Sequence, residues 1–310
     1  MIKNLLYILL FISSIFCQEQ IGEGLYLQNL VNFIQQNYTT NNVLSYDSAR
    51  DVLYGQIYNN DGEVSCIYTQ FSVNNVPINN PRPTVTAGGI DCEHIWPQSM
   101  YNGNSPMKSD MHHLKPCKSN VNSSRGNKPY NQVQDSQTNH WYWLSYDLST
   151  PPQNNIDNYS ESGSLAFEPR EEVKGDIARI MYYFYTIYED VINDDFFDEQ
   201  KDMLYQWHVY DPVSTEEINT TWAIAEYQNN IPNPFIVDES LIYRAFFYNP
   251  TFPGDVNTDN IVNVVDIIFI VSIIIDNVEI TSEQFNNADL DENLIINVND
   301  IVAIINIILS

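Results

Sequence analysis

Gly88-Gly-Ile-Asp-Cys-Glu-His94-Ile-Trp-Pro-Gln-Ser99 is followed by Lys108-Ser-Asp-Met-His-His-Leu-Lys-Pro116 and Ser119-Asn-Val-Asn122-Ser-Ser-Arg125-Gly-Asn127. Within these forty residues, Glu93 offers a hard oxygen ligand beside a histidine that titrates near neutral pH. Adjacent side chains on a strand face opposite sides, so Glu93 and His94 reach one site only at a strand end or bend, and Pro97 supplies the break. Asn122 adds a neutral oxygen. Arg125 follows one helical turn later, with a guanidinium shaped to fork onto a phosphate. A carboxylate, an amide, a base and a guanidinium suit metal-assisted phosphodiester hydrolysis, and the oxygen ligands favour Mg²⁺, or Mn²⁺, over softer ions.

The surrounding charge sets this centre apart. The 310 residues carry 13 Lys+Arg against 40 Asp+Glu, a net charge of -27 that argues against a protein coating nucleic acid through a basic surface. Yet Arg82 to Lys128 holds six of those bases (Arg82, Lys108, Lys115, Lys118, Arg125, Lys128) against Asp91, Glu93 and Asp110. The clustered lysines are read as a phosphate-facing patch. Flanking segments are mostly helical in pattern: Tyr46 to Tyr58, the stretch after Pro169, and Ile218 to Tyr227 behind the capping box Ser214-x-x-Glu217. Glu63 to Val73 alternates like a strand. The numerous Tyr and Phe on these stripes are assigned to the core.

At the N-terminus, Lys3, an apolar run from Leu5 to Phe16 and polar Gln18-Glu-Gln20 form a signal-peptide layout over residues 1–17. Cleavage near Cys17 competes with acylation of Cys17, which Phe16 disfavours where a small residue is preferred. The expected mature chain is secreted, outside the cell or on its surface, and no later stretch is long enough to span a membrane. Cys66, Cys92 and Cys117 then meet an oxidising compartment with one disulfide and one thiol to distribute.

Residues 251–310 contain ten acids and no Lys or Arg. Two segments repeat there at an offset of 34: Asp255, Asn257, Asp259, Ile261, Asn263 and Asp266, then Asp289, Asp291, Asn293, Ile295, Asn297 and Asp300. These are positions 1, 3, 5, 7, 9 and 12 of a calcium loop, with the isoleucine contributing only its carbonyl. Position 6, where glycine is usual, is Asn260 and Leu294; asparagine tolerates the left-handed turn and leucine does so poorly. Each loop precedes an apolar helix, expected at 267–275 and 301–309. This arrangement resembles the dockerin module, which implies two bound Ca²⁺ and a cohesin-like partner.

The motifs Glu-His-x-Trp-Pro-Gln-Ser, Lys-Ser-Asp-Met-His-His-Leu-x-Pro and Asn-x-x-Arg-Gly-Asn resemble the endonuclease I family of His-Me finger (ββα-metal) nucleases. Phe167-Glu-Pro-Arg-Glu-Glu-Val-Lys-Gly-Asp-Ile-Ala-Arg179 and Trp207-His-Val-Tyr-Asp-Pro-Val213 extend the likeness across roughly residues 25–245. The resemblance implies an α+β fold, a mostly helical nuclease domain (residues 18–250) built around a ββα-metal finger, ahead of the small all-α calcium module (251–310). It implies His94 as general base, Glu93 and Asn122 as ligands of one Mg²⁺, Arg125 on the phosphate, and products ending in a 5′-phosphate. Glu168, Arg179 and His112 enter as supporting groups. His112 and His113 are placed on the second strand, facing opposite ways. Cys92 and Cys117, flanking the two strands, are expected to pair, leaving Cys66 free.

Two rivals stand beside this reading. Cys92, His94, His112, His113 and Cys117 have the ligand types of a structural zinc site, without its usual spacing. Alternatively, the chain is an extracellular dockerin-bearing binding protein on an inactive nuclease fold. DNA against RNA is left open, since Lys and Arg contacts to phosphate carry no sequence information.

Overall fold

The computed structural model describes residues 20–309 except 41, 249–251, 277, 279, 292 and 294. The expected signal segment with Cys17, and Leu294 of the second loop, lie outside the described residues. The chain divides into two compact units, the first ending at Phe247 and the second beginning at Tyr248.

The first unit is organised around the helix Lys174–Tyr188, which is buried on nearly every side. Helices Leu27–Tyr38 and Lys201–Tyr210 pack on it. Trp96 stacks on Phe184 with ring centroids 5.2 Å apart, which fastens the segment after His94 to the middle of this core. Such aromatic pairs add about 0.5–1.5 kcal/mol beyond the area they bury.

Strand Ile90–His94 pairs antiparallel with Leu114–Lys118, bringing Glu93 opposite Lys115 and His94 opposite Leu114. Helix Ser119–Arg125 follows without an intervening loop, and Ser119 is tied back to Gly89 O by its backbone N–H (2.9 Å) and hydroxyl (3.1 Å). The ribbon starts where it does because helix Arg82–Ala87 must stop. Gly89 takes φ +89, and a Cβ on Gly88 would lie 2.4 Å from Val73 Cγ2. Gly126, at φ +57, turns the chain out of the final helix.

Several local expectations change in three dimensions. Tyr46 to Tyr58 is an α-helix over Tyr46–Val52 that widens into a π-helical turn, Leu53–Ile57. The alternating stretch Glu63 to Val73 is a hairpin of two short strands, Val64–Ser65 and Ser72–Val73. The capping box forms at the start of Thr215–Ala225, with Ser214 and Glu217 bonding reciprocally.

An antiparallel four-stranded sheet was not anticipated by the helical reading. Thr138–Trp143 pairs with both Tyr146–Leu148 and Ser160–Gly163, and the latter pairs with Phe167–Glu168. Its strands bury polar Ser160, Glu161 and Ser162 as well as Trp141, Tyr142 and Phe167, so the alternation that marks a strand in sequence is weak.

The second unit has helices Val264–Asp276, Ser282–Ala288 and Val298–Leu309 around Val256, Ile270, Ala288 and Ile304. The short helix ending at Ala288 immediately precedes the second acidic loop, in addition to the helix expected after it. Thr281 and Gln284 close a capping box at its start. No helix among the described residues is long and apolar enough to cross a membrane.

Candidate active site

His94 is the last residue of its strand, so the chain bends where Glu93 and His94 sit. Both line a cleft of about 490 Å³, together with Tyr46, Gln98, Ser99, Asn122, Gly126 and Asn127. Glu93 is 2% exposed. Its Oε1 accepts a hydrogen bond from the Tyr68 hydroxyl at 2.9 Å and meets Arg125 Nη1 at 3.3 Å. Among the described residues, Oε2 accepts no hydrogen bond. Burial pushes the carboxyl up to about 7, against the pull of Arg125 and Tyr68.

The His94 ring is held by its Nε2 at 3.2 Å from the carbonyl of Lys108. A carbonyl only accepts, so Nε2 carries the proton and Nδ1 keeps its lone pair. Tyr46 and His113 flank the ring, each with centroids 5.4 Å away. Burial, then the neighbouring His113, brings His94 down to about 3, which keeps the imidazole neutral and basic in form at ordinary pH.

Asn122 donates its side-chain N–H to Cys92 O at 3.3 Å, an orientation that leaves Oδ1 without a donor among the described residues. Two oxygens without hydrogen-bond partners, Glu93 Oε2 and Asn122 Oδ1, thus belong to side chains on one cleft. That donor set fits a hard divalent cation, and the buried carboxylate gains most from the added charge.

Arg125 departs from its expected role on the phosphate. Its guanidinium is fully buried, donating to the carbonyls of His94 (3.2 Å) and Ile95 (2.6 Å) and lying over the Tyr130 ring at 4.5 Å. It is a positioning residue that shapes the strand end from within, because both its charge and its fork are already engaged. Tyr68, whose hydroxyl also bonds Tyr130 at 2.6 Å, completes this support and was missed; its signal is spatial, 25 residues from Glu93.

The other supporting groups also prove to be scaffold. His112 and His113 sit in the 3-10 turn Met111–His113 ahead of the strand, not on it. His112 Nε2 bonds Ile231 O at 2.9 Å and does not line the cleft, whereas His113, bonded to Met107 O, is the one that touches His94. Asp110, which the sequence reading left unassigned, holds this turn by accepting from Tyr183, Tyr188 and Gln228 and from His112 N. Glu168 is taken by Lys174 Nζ (2.7 Å) and Val133 N (2.6 Å). Arg179 makes two 2.7 Å bonds to Glu217 and another to Asp211 O.

The lysines do not assemble into one exposed patch. Lys115 is buried beside Tyr58, Lys128 Nζ bonds Ser124 O and Ser162 Oγ, and Lys118 Nζ bonds Leu144 O. Lys108, over the Tyr46 ring, is the one beside His94. The Cys92–Cys117 pairing is likewise overturned. Cys92 lies opposite Pro116 and Cys117 opposite Asp91, so a one-residue offset sends the two thiols to opposite faces of the ribbon. No bridge joins Cys66, Cys92 and Cys117 in this structure, where Cys66 and Cys117 are buried and Cys92 is half-buried.

In the second unit the described residues of the two acidic loops make matching bonds. Asp266 Oδ1 accepts from Val256 N (2.8 Å) and Asn257 N (3.1 Å), and its Oδ2 from Asn263 N (2.9 Å). Asp300 does the same with Leu290 N and Asn297 N. Asp255 gathers Asp259 N and Asn260 N, and Asn260 adopts the left-handed φ of +66. Among the described residues, Asp289, Asp291 and Asp300 form the only group of three or more His, Cys, Asp or Glu whose ligand atoms converge, lying within 4.8 Å of one another. No such cluster joins the cysteines and histidines of the zinc rival.

A family model described as Endonuclease I matches residues 25–240. The chain is 30% identical over 165 residues to an extracellular ribonuclease of Bacillus subtilis (strain 168), an alignment covering 48% of this chain and 51% of that protein. It is also 30% identical over 167 residues to an extracellular ribonuclease of Bacillus amyloliquefaciens, covering 49% and 52%. The chain spans about half the length of the curated relatives it matches.

Proposed function

Because this chain belongs to the Endonuclease I family, we propose that it is a secreted, metal-dependent endonuclease that hydrolyses phosphodiester bonds of RNA, DNA or both, with little sequence preference. The observation that carries this reading is the pairing of His94 Nδ1, free to take a proton, with the two unclaimed oxygens of Glu93 and Asn122 on one cleft. The ribbon and helix that present them have the order of a ββα-metal finger.

Glu93 and Asn122 would hold Mg²⁺ or Mn²⁺, which when bound supplies positive charge to the scissile phosphate and the leaving oxygen. His94 takes a proton from the attacking water at Nδ1, while Lys108 O holds the ring by Nε2. Attack on phosphorus opposite the 3′ oxygen leaves a 5′-phosphate on the product. Tyr68 and Arg125 orient Glu93, and Arg125 also sets the backbone on which His94 turns. The similarity to two extracellular ribonucleases favours RNA as a substrate and supports export.

The second unit reads as a dockerin-like calcium module that attaches the enzyme to a cohesin-like partner. Its support is the duplicated ligand spacing, the shared Asp266 and Asp300 geometry and the convergence of Asp289, Asp291 and Asp300.

The decisive assay offers the purified protein RNA, single-stranded DNA and double-stranded DNA, each with Mg²⁺ and with EDTA. Cleavage of at least one that stops in EDTA and returns with Mg²⁺ supports the reading. Absence of cleavage of all three, or cleavage indifferent to EDTA, overturns it.

A further inference from the structure

The correction at Cys92 leaves a different pair in place. Cys66 Sγ and Cys117 Sγ are 3.9 Å apart, both side chains buried, on segments separated by 51 residues. Their backbones are already joined: Ile67 N donates to Pro116 O at 2.9 Å, one residue beyond Cys66 and one before Cys117. The turn between them and the short hairpin is ordered too, with Cys66 N bonding Phe71 O and Gln70 N bonding Cys66 O. We propose that Cys66 and Cys117 form a disulfide that ties the hairpin turn to the second strand of the catalytic ribbon.

The sulfurs must close by roughly 2 Å to reach bonding distance, a movement within reach of side-chain rotation once the main chains are fixed side by side. Chemistry favours Cys66 as the attacking thiol. Although burial opposes its ionisation, hydrogen bonds from Cys117, Thr69 and the Lys118 and Tyr68 backbone bring it down to about 6. Burial holds Cys117 well above the usual thiol range. Cys66 also lies in the wall of a cavity of about 630 Å³ with Lys115, Pro116, Arg170 and Asp176, which gives a small oxidant an approach.

The oxidant is a low-molecular-weight or protein disulfide. The Cys66 thiolate attacks one of its sulfurs, forming a mixed disulfide and releasing one thiolate. Cys117, losing its proton to that thiolate or to solvent, attacks the Cys66 sulfur and releases the second thiol. Two cysteines are oxidised, one external disulfide is reduced, and two external thiols result.

The bridge has a structural consequence at the site. Tyr68 follows Cys66 by two residues, and its hydroxyl holds Glu93 Oε1. Closing the bridge therefore anchors the turn that orients the carboxylate. Cys92 remains outside the pair, on the opposite face of the ribbon.

The test is thiol mapping of the full chain after equilibration with glutathione disulfide. Free thiols are alkylated in denaturant without reductant, the protein is digested, and the peptides are read by mass spectrometry. The expected result is a cross-linked peptide pair containing Cys66 and Cys117, with Cys92 alkylated. Alkylation of both Cys66 and Cys117, or a cross-link through Cys92, overturns the inference. Dithiothreitol is expected to lower Tm by about 5–10 °C, given the size of the loop closed. The paired variant Cys66→Ser with Cys117→Ser should lack that response, and equal wild-type Tm values with and without reductant also overturn the bridge. The mapping needs no activity, so its failure leaves the catalytic reading standing.

Discussion

Arg125 grips Glu93 from inside the protein: Nη1 lies 3.3 Å from Glu93 Oε1, and the same nitrogen donates to the carbonyl of His94. One buried guanidinium therefore positions both the metal-ligand candidate and the backbone of the candidate base. Removing it leaves a buried carboxylate without its cationic partner and takes a donor from each of two carbonyls. Breaking such a pair typically costs about 3–5 kcal/mol. Arg125→Ala is expected to lose stability of this order in urea denaturation. Arg125→Lys should recover only part of it, because an ammonium cannot span the carbonyls of His94 and Ile95 together. Full recovery by lysine would show that charge alone matters.

His94→Ala should reduce turnover by about 10²–10⁴-fold, the usual contribution of a general base. Nucleic-acid affinity measured in Ca²⁺ or EDTA should change little. Near-normal turnover in a folded variant would remove His94 from the chemistry.

Tyr68→Phe deletes one hydroxyl and keeps the ring against Phe167, 4.8 Å away. Without its donor to Oε1, Glu93 is less well oriented and less readily ionised. The Mg²⁺ concentration for half-maximal activity is expected to rise about 10–100-fold, as for other groups that support metal ligands, with kcat at saturating metal far less affected. An unchanged metal titration would show that Tyr68 does not tune Glu93.

The raised carboxyl of Glu93 carries a pH signature. Its value of about 7 lies above that of an unfolded glutamate, so its contribution to metal-free stability is present at low pH and lost as pH rises through about 7. A cation pairing with the carboxylate reverses that loss. Saturating Mg²⁺ should therefore raise Tm more at pH 8 than at pH 5.5. Scanning fluorimetry at both pH values checks this, and an equal or opposite response contradicts Glu93 as the ligand.

In the second unit, calorimetric titration of the full chain with Ca²⁺ in the absence of Mg²⁺ is expected to show two sites of the acidic loops. Asp255→Ala should abolish one of them, because Asp255 gathers the backbone of residues 259 and 260 while supplying the first ligand position. Nuclease activity with Mg²⁺ should survive the change. Identical Ca²⁺ stoichiometry in the variant would refute the first loop as a site.

What the linear order of residues determined is whatever depends on short range. The 12-residue spacing of Asp255 to Asp266 and Asp289 to Asp300, the capping box of Ser214 and Glu217, and the adjacency of Glu93 and His94 are local relationships, and each is complete within one loop or one turn. The ribbon and helix bearing Glu93, His94 and Asn122 lie within the quoted motifs. Register and burial required the folded chain. A one-residue offset between antiparallel strands separated Cys92 from Cys117, and a hairpin 51 residues upstream brought Cys66 to Cys117 instead. Burial turned Arg125, Glu168 and Arg179 inward, because a charge removed from water must be paired, and those pairs are spent on carbonyls, Glu93, Lys174 and Glu217. Tyr68 supports Glu93 across 25 residues of chain through a contact that no spacing rule encodes. Such long-range pairings depend on which surfaces exclude water together, a property of the packed molecule and not of any one segment.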